Sequence, residues 1–340
     1  MNGKIGHKPM LTSRRTFLSQ AMGSGLALSG ISNVRPARAA AEKVTFQLDW
    51  IPYGRHAPYY VALDKGFYSQ RGLDVTVAQG IGSVPGLRTL GTGQVNFLFG
   101  DIGSMIAVRS RDGVRAKALA CMYQKTPNTI FFIKGAGISK PKDLEGRKLA
   151  YTPGDKIMFP AFALANGIDE SKISWLSADP NSKNVMLLTR NADSMMTYIF
   201  TKPVLQKAAK PDEVIDGFIY SDWGVDFYSN GILAMEDYVN QKPEVTRNFV
   251  QATMEGVEYA MAHAAESVSI LKKHQPQLNE ETALKEIAIL QELITTKTPG
   301  QRLGSMTQEK MKETIALTVK YLDLKDSVGV DQVFTNEFLK

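Results

Sequence analysis

Four aromatic side chains and one histidine fall within eleven residues: Trp50, Tyr53, His56, Tyr59 and Tyr60. A planar heterocycle gains by stacking on such rings, and a tyrosine hydroxyl adds a directed hydrogen bond. Trp50 and Tyr53 follow a strand, which places them at a cleft. Tyr59 joins them as a candidate contact, whereas Tyr60 reads as filling between helix and sheet. His56 opens a helix and carries two readings, a donor to a ligand heteroatom or carboxylate, or a cap on its own helix.

Further candidates punctuate the chain. Gly82-Ser83 precedes a helix and offers free backbone N–H groups and a hydroxyl at a strand's carboxyl end, which suits an anionic or carbonyl group. Gly154-Asp155 repeats the arrangement farther on, with a carboxylate that accepts from amine or ring N–H donors. Asp101, between Gly100 and Gly103, ends a third strand. An N-cap role is the alternative for Ser83, Asp101 and Asp155. Tyr123 and Gln124 follow a strand, and Tyr228 stands beside Asn230-Gly231, which reads as a hinge.

No nucleophile–base constellation accompanies these residues. Outside the first 39 residues three histidines remain, dispersed and without the H-x-x-x-H spacing of a metal site. The single cysteine, Cys121, has no intrachain partner, and the many methionines, Met195 and Met196 among them, read as core fillers. The expectation is a binding protein with no catalytic residue, cofactor or metal.

The elements that must position these residues follow an α/β rhythm. Strands read at 44–49, 73–77, 96–99, 116–122 and 129–133, with helices at 56–69, from Gly82 to about Gly93, and at 102–111. After a turn-rich break at 135–146 the alternation resumes with strands near 148–151, 173–176, 195–199 and 214–220. Helices at 155–166, 184–190 and 203–209 separate them. Amphipathic helices at 243–263, 280–294 and 307–322 close the chain. This rhythm predicts two lobes, each a mostly parallel sheet covered by helices, with a ligand cleft at the strands' carboxyl ends. The expected division is a leader at 1–39, lobe one at 40–134, lobe two at 135–230, and a return to lobe one with the C-terminal helices at 231–340.

The leader carries Ser13-Arg14-Arg15-Thr16-Phe17-Leu18, a modestly apolar run to Val34, and Ala37-Arg38-Ala39. That order is a twin-arginine export signal cut near Ala39. The chain holds 40 Lys and Arg against 34 Asp and Glu. Six of those cations and no acid lie in the first 39 residues, which leaves 34 of each sign. The basic isoelectric point, about 9.1, thus belongs largely to the leader, and nucleic acid is not an expected partner. No cysteine follows the apolar run to carry a lipid anchor, and no later segment reaches ~18 apolar residues. A soluble, monomeric periplasmic protein is expected.

Asp49-Trp50-Ile51-Pro52-Tyr53-Gly54-Arg55-His56-Ala57-Pro58-Tyr59-Tyr60-Val61-Ala62 resembles the periplasmic binding proteins with an NMT1/THI5-like domain. So do Lys65-Gly66-Phe67-Tyr68, Gly72-Leu73-Asp74-Val75, Pro141 to Lys148 and Phe334 to Leu339. The resemblance implies the type 2 periplasmic-binding-protein fold, with interlobe crossings near 133–138 and 230–233 and a helical tail on lobe one. It also implies an ABC permease and its ATPase as partners, and a ligand like a thiamine-pyrimidine precursor. Wider relatives bind sulfonates, taurine or nitrate, and an aromatic acid is a further alternative. Tyr53 stands where the pyrimidine binders often have Asn. Pyrimidine synthases share the domain but carry a cysteine-rich motif, which this chain lacks.

Overall fold

The structure is a computed structural model that describes residues 40–295, 300–324 and 328–339. The leader expected at 1–39 lies outside these residues. Strand β1 (Glu42–Gln47) shows how the sheet pattern arises: Val44 and Phe46 point into the core while Lys43 is exposed and Thr45 half-buried, the period of two of a pleated strand. Helices α1 (Ala57–Asp64) and α2 (Phe67–Gln70) follow, then β2 (Leu73–Ala78), α3 (Ser83–Gly91), β3 (Phe97–Asp101), α4 (Ile102–Asp112) and β4 (Ala116–Cys121). Next come β5 (Asn128–Ile133), β6 (Lys148–Tyr151), α5 (Pro153–Lys156), α6 (Phe159–Ala165), β7 (Ser174–Ser177), α7 (Pro180–Leu188) and β8 (Ser194–Tyr198). The chain continues through α8 (Lys202–Ala208), β9 (Ile215–Ile219) and β10 (Asn230–Met235) to α9 (Glu236–Gln241), α10 (Pro243–Ala262), α11 (Ala264–His274), α12 (Glu280–Ile294), α13 (Gln308–Tyr321) and α14 (Val330–Val333).

The helix expected over 56–69 is broken in two because Gly66 adopts φ 75°, a left-handed conformation that stops α1. The helix expected over 155–166 is likewise divided into α5 and α6. The expected α/β class holds.

The strands form two five-stranded sheets, ordered β2-β1-β3-β10-β4 and β7-β6-β8-β5-β9. Four strands of each run in the same direction, and one in each runs against its neighbours: β10 against β3 and β4, β5 against β8 and β9. The sheets are therefore mixed, each with a single reversed strand set between strands of the common direction. The chain leaves the first sheet after β4 and enters the second at β5, so the first crossing runs through 122–127 and not through 133–138. An apolar run such as Thr129-Ile130-Phe131-Phe132-Ile133 suits a central strand of either sheet, so sequence pattern alone does not assign it. The return runs through 220–229 and ends at Asn230.

The two crossings are bonded to each other. Met122 and Tyr123 donate backbone N–H groups to the Asn230 carbonyl at 2.8 and 2.9 Å, and Ser229 donates to the Tyr123 carbonyl at 3.1 Å. Lys310 of α13 fastens both, donating to the Gln124 carbonyl and the Asp226 carboxylate at 2.6 Å each. One apolar cluster runs from Phe46, Phe97 and Phe249 of the first lobe to Phe131, Met195 and Phe200 of the second, so the lobes share a core. Two smaller clusters lie under α4 and α13 and under α6.

Gly231 lets β10 lie against β4. A Cβ there would stand 2.3 Å from the Ala120 carbonyl oxygen, which is backbone and cannot swing away. Gly231→Ala is expected to destabilise the protein by about 1–3 kcal/mol, the usual cost of overpacking, seen as a lowered denaturation midpoint in urea. An unchanged midpoint would contradict this strand spacing.

Candidate ligand-binding site

The carboxyl ends of β1 and β3, the start of β10 and the end of β4 lie along one edge of the first sheet, where Asp101 pairs with Asn230 and Gly231 with Cys121. A chain of polar side chains follows that edge. Asp49, just beyond β1, accepts from Arg55 at 3.2 and 3.3 Å, from His56 Nε2 at 2.8 Å and from Asn230 Nδ2 at 3.0 Å. The Ser229 hydroxyl stands 3.1 Å from both the Asn230 side-chain oxygen and Asp101 Oδ2. Asp101 caps α4, accepting from the Ser104 backbone at 2.6 Å and the Ser104 hydroxyl at 2.8 Å.

The His56 tautomer follows from its neighbours. Nδ1 accepts from the Tyr53 backbone N–H at 3.0 Å, so Nε2 carries the proton and donates to Asp49. Burial, and then the positive charge of Arg55, lower the imidazole to about 4 despite its bond to Asp49, which keeps the ring neutral. Burial pushes the Asp49 carboxyl up. The charge of Arg55 and the hydrogen bonds from His56 and Arg55 outweigh it and hold Asp49 at about 2. Burial raises Asp101. The Arg55 guanidinium also lies over the rings of Tyr53 at 5.6 Å and Phe200 at 5.5 Å, so it joins the first lobe to the second.

The second lobe supplies the facing wall. Tyr198 ends β8, half-buried and paired with Asn128 at the start of β5; burial raises its hydroxyl, and the carboxylates of Asp101 and Asp49 add to that. Beyond β6, Asp155 accepts from the Thr152 backbone at 2.8 Å and the Thr152 hydroxyl at 2.7 Å in a capping box, and it pairs with Lys183. Lys183 is buried and also donates to the Met196 carbonyl at 2.6 Å.

The residues singled out from sequence divide into groups. Trp50, 36% exposed, stands on the lip beside Ile51 and Ile81; Gly80 donates to its carbonyl at 3.2 Å. Tyr53 covers Arg55. The Ser83 hydroxyl accepts from the Asp101 backbone at 3.0 Å, and Gly82, at φ 127°, donates to the Asp49 carbonyl at 2.7 Å, so both brace the edge. Tyr123 is fully buried beside Phe99 and Phe200, and its hydroxyl has no hydrogen-bond partner among the described residues. Asp155 caps its own short helix in the second lobe and pairs with Lys183. His56 spends both ring nitrogens internally. Tyr59 is core, edge-on to Phe46 at 5.1 Å and tilted against Phe99 at 5.2 Å. Tyr228 is also buried, away from this edge: its hydroxyl accepts from the Thr307 backbone at 2.9 Å and its ring packs with Met306 and Met311. Gln124 is spent on the carbonyls of Cys121 and Ser305.

Sequence reasoning missed Asp49, Arg55, Tyr198, Phe200 and Lys183, and gave Asn230 only to the hinge. Asp49 and Arg55, opposite charges flanking a Pro-Tyr-Gly turn, carried a readable signal. Tyr198 did too, as a tyrosine closing a strand. Two surface hollows, about 480 Å³ between α10 and α12 and about 300 Å³ beside the crossings, lie elsewhere. The larger has one ionisable lining residue, Glu258, and gathers no polar groups comparable to those around Asp49.

Asp49→Ala leaves the buried Arg55 without its carboxylate and is expected to cost about 3–5 kcal/mol in urea unfolding at pH 7. Because the folded-state pKa of Asp49 is depressed, its own contribution is present above about pH 4 and is lost as pH falls through 2. A cost below about 1 kcal/mol at pH 7 would show that the pair does not organise this edge.

The profile of the NMT1/THI5-like family matches residues 54–267. The formylaminopyrimidine-binding protein of Halalkalibacterium halodurans is 24% identical over 306 residues, covering 87% of this chain and 91% of that one. The riboflavin-binding protein RibY of Chloroflexus aurantiacus is 23% identical over 320 residues, covering 89% and 88%. The crystal structure of the periplasmic aliphatic sulphonate binding protein SsuA from Escherichia coli superposes with a TM-score of 0.69 at 12% identity, covering 88% of this chain and 99% of that one. With two lobes joined by paired crossings, the fold is that of the periplasmic binding proteins, and the chain belongs to the NMT1/THI5-like family.

Proposed function

We propose that this protein is the solute-binding component of an ABC importer and carries a small, planar heterocycle with hydrogen-bond donors, of the aminopyrimidine kind. One observation carries the ligand class: the edge of the first sheet gathers the carboxylates of Asp49 and Asp101, while the cation beside them, Arg55, is already paired, as is Lys183 of the second lobe. A ring amine meets acceptors there. A sulfonate or nitrate meets carboxylates, and recruiting either cation would break a buried pair. Trp50, Tyr53 and Tyr198 supply aromatic faces. The names of the formylaminopyrimidine- and riboflavin-binding relatives support a heterocycle.

The reading is of a binder, not an enzyme. Cys121 is buried, and burial raises its thiol far above the range of a reactive nucleophile. The neutral His56 is locked between Asp49 and a backbone N–H. The partner met in the periplasm, after export by the twin-arginine route, is the permease, which its ATPase drives from the cytoplasmic side.

Thermal melting with formylaminopyrimidine, 4-amino-5-hydroxymethyl-2-methylpyrimidine, riboflavin, ethanesulfonate and nitrate tests the ligand class. A pyrimidine at 100 times its Kd adds about 2.7 kcal/mol of stability. Asp101→Asn and Tyr198→Ala each weaken that binding by about tenfold or more, read by calorimetry. Stabilisation by ethanesulfonate with none from the heterocycles would overturn the reading. In cells, the double substitution R14K/R15K leaves the precursor in the cytoplasm, measured by fractionation; undiminished export would remove the twin-arginine route.

A further inference from the structure

Five buried polar atoms have no hydrogen-bond partner among the described residues, and three of them, Arg55 Nε, Tyr123 Oη and Glu286 Oε2, lie on neighbouring elements. These three belong to one place. Arg55 and the Tyr123 ring both lie against Phe200, and α12, which carries Glu286, packs on the Gly54–His56 turn that holds Arg55. Arg55, Tyr123 and Glu286 are 8%, 0% and 3% exposed, so each is more than nine-tenths buried.

Glu286 reaches this place from α12, some 230 residues farther along the chain. Gly54 makes the approach possible, because a Cβ there would stand 2.4 Å from the Ala283 carbonyl oxygen, one turn before Glu286. The backbone N–H groups of Gly54 and Arg55 favour the ionised form of the Glu286 carboxyl. The same helix touches α8 and the Ile199–Thr201 turn of the second lobe, beside Phe200. Glu286 therefore stands behind the turn that presents Arg55 to Asp49, where the lobes meet.

We propose that Glu286 is a positioning residue of the ligand site, acting through Arg55. It fixes the Gly54–Arg55 turn from behind, and its protonation decides whether Arg55 is balanced by one carboxylate or by two. The inference rests on the proposed ligand site and names a regulator of it. With Glu286 neutral, the group of Asp49, Arg55 and His56 is neutral overall. With Glu286 ionised it carries one negative charge, which favours a ligand that presents donors.

Burial raises the Glu286 carboxyl to about 7, against the opposing pull of Arg55 and two backbone N–H groups, so the switch lies in an accessible range. The groups acting on it are Arg55, from the turn before α1, and Tyr123, from the first crossing. Several charged groups on neighbouring elements are engaged elsewhere, and Glu258 of α10 lines the hollow between α10 and α12. Lys207 of α8 acts on Glu281, Lys272 of α11 donates to the Leu278 carbonyl, His274 pairs with Asp64, and Glu255 of α10 pairs with Arg71.

The test compares wild type with Glu286→Gln, which keeps an acceptor oxygen for the turn. For wild type, Kd for 4-amino-5-hydroxymethyl-2-methylpyrimidine should tighten by about threefold from pH 6 to pH 8, the linkage factor for half a unit of pKa change, and should be flat in Glu286→Gln. A purely structural role would shift melting but leave both Kd profiles parallel, and parallel profiles overturn the proposal. A ligand-free arm keeps it separable from the ligand reading. The folded-state pKa of Glu286 is raised, so wild type loses stability as pH rises from about 4.5 through 7, and Glu286→Gln does not. Its melting temperature should match wild type near pH 4.5 and exceed it at pH 8. If no pyrimidine binds, the ligand reading fails, while equal melting curves at every pH defeat the Glu286 reading. Should Glu286→Gln not accumulate, infrared titration of wild type decides: a buried carboxyl titrating near pH 7 supports the proposal, and its absence overturns it.

Discussion

The ion pair between Asp49 and Arg55 is the constraint around which the rest is arranged. A buried guanidinium is tolerated only with a carboxylate in good geometry and with its remaining surface covered. Asp49 provides the first. The rings of Tyr53 and Phe200 provide the second, one from each lobe. The carboxylate in turn needs more than one donor, and it draws His56 and Asn230 toward itself. Asn230 is the first residue of the strand by which the chain returns to the first sheet. Charge balance at one aspartate thus fixes the turn before α1, the neutral form of the histidine and the position of the returning strand.

The same arrangement gives the site its chemical character. Side chains that might have met an anion are consumed in holding the edge together, and the groups left facing the second lobe are acceptors and aromatic surfaces. The paired crossings and the Lys310 clamp hold the lobes at the other end, so the site lies between a fixed hinge and an open lip marked by Trp50, Ile51 and Ile81. Glu286 adds a titratable group behind the wall, out of reach of solvent.

Much of the fold is legible in the sequence because strands and helices there have strong periodicity and firm punctuation. The alternation in β1 and the glycines before α3 are examples. What is not legible is partnership. Thr129 to Ile133 is plainly a strand, but nothing local says which sheet it joins, and the structure gives it to the second. Tyr59 and Tyr228 are tyrosines near strand or crossing ends, as Tyr198 is, yet only packing separates two core rings from one that stays half-buried. His56 reads equally as ligand contact or local brace until Asp49 and the Tyr53 N–H are seen on its two nitrogens. Glu286 sits in an amphipathic helix where a glutamate signals solvent, and only the close approach of Gly54 reveals it as buried.

A crystal structure of the protein with 4-amino-5-hydroxymethyl-2-methylpyrimidine tests the central claim most directly. The account predicts the ring between Trp50 or Tyr53 and Tyr198, its amine within hydrogen-bond distance of Asp101 or Asp155, and the Asp49–Arg55 pair intact beneath it. A ring seated in the hollow between α10 and α12, or held by an Arg55 drawn away from Asp49, would contradict it.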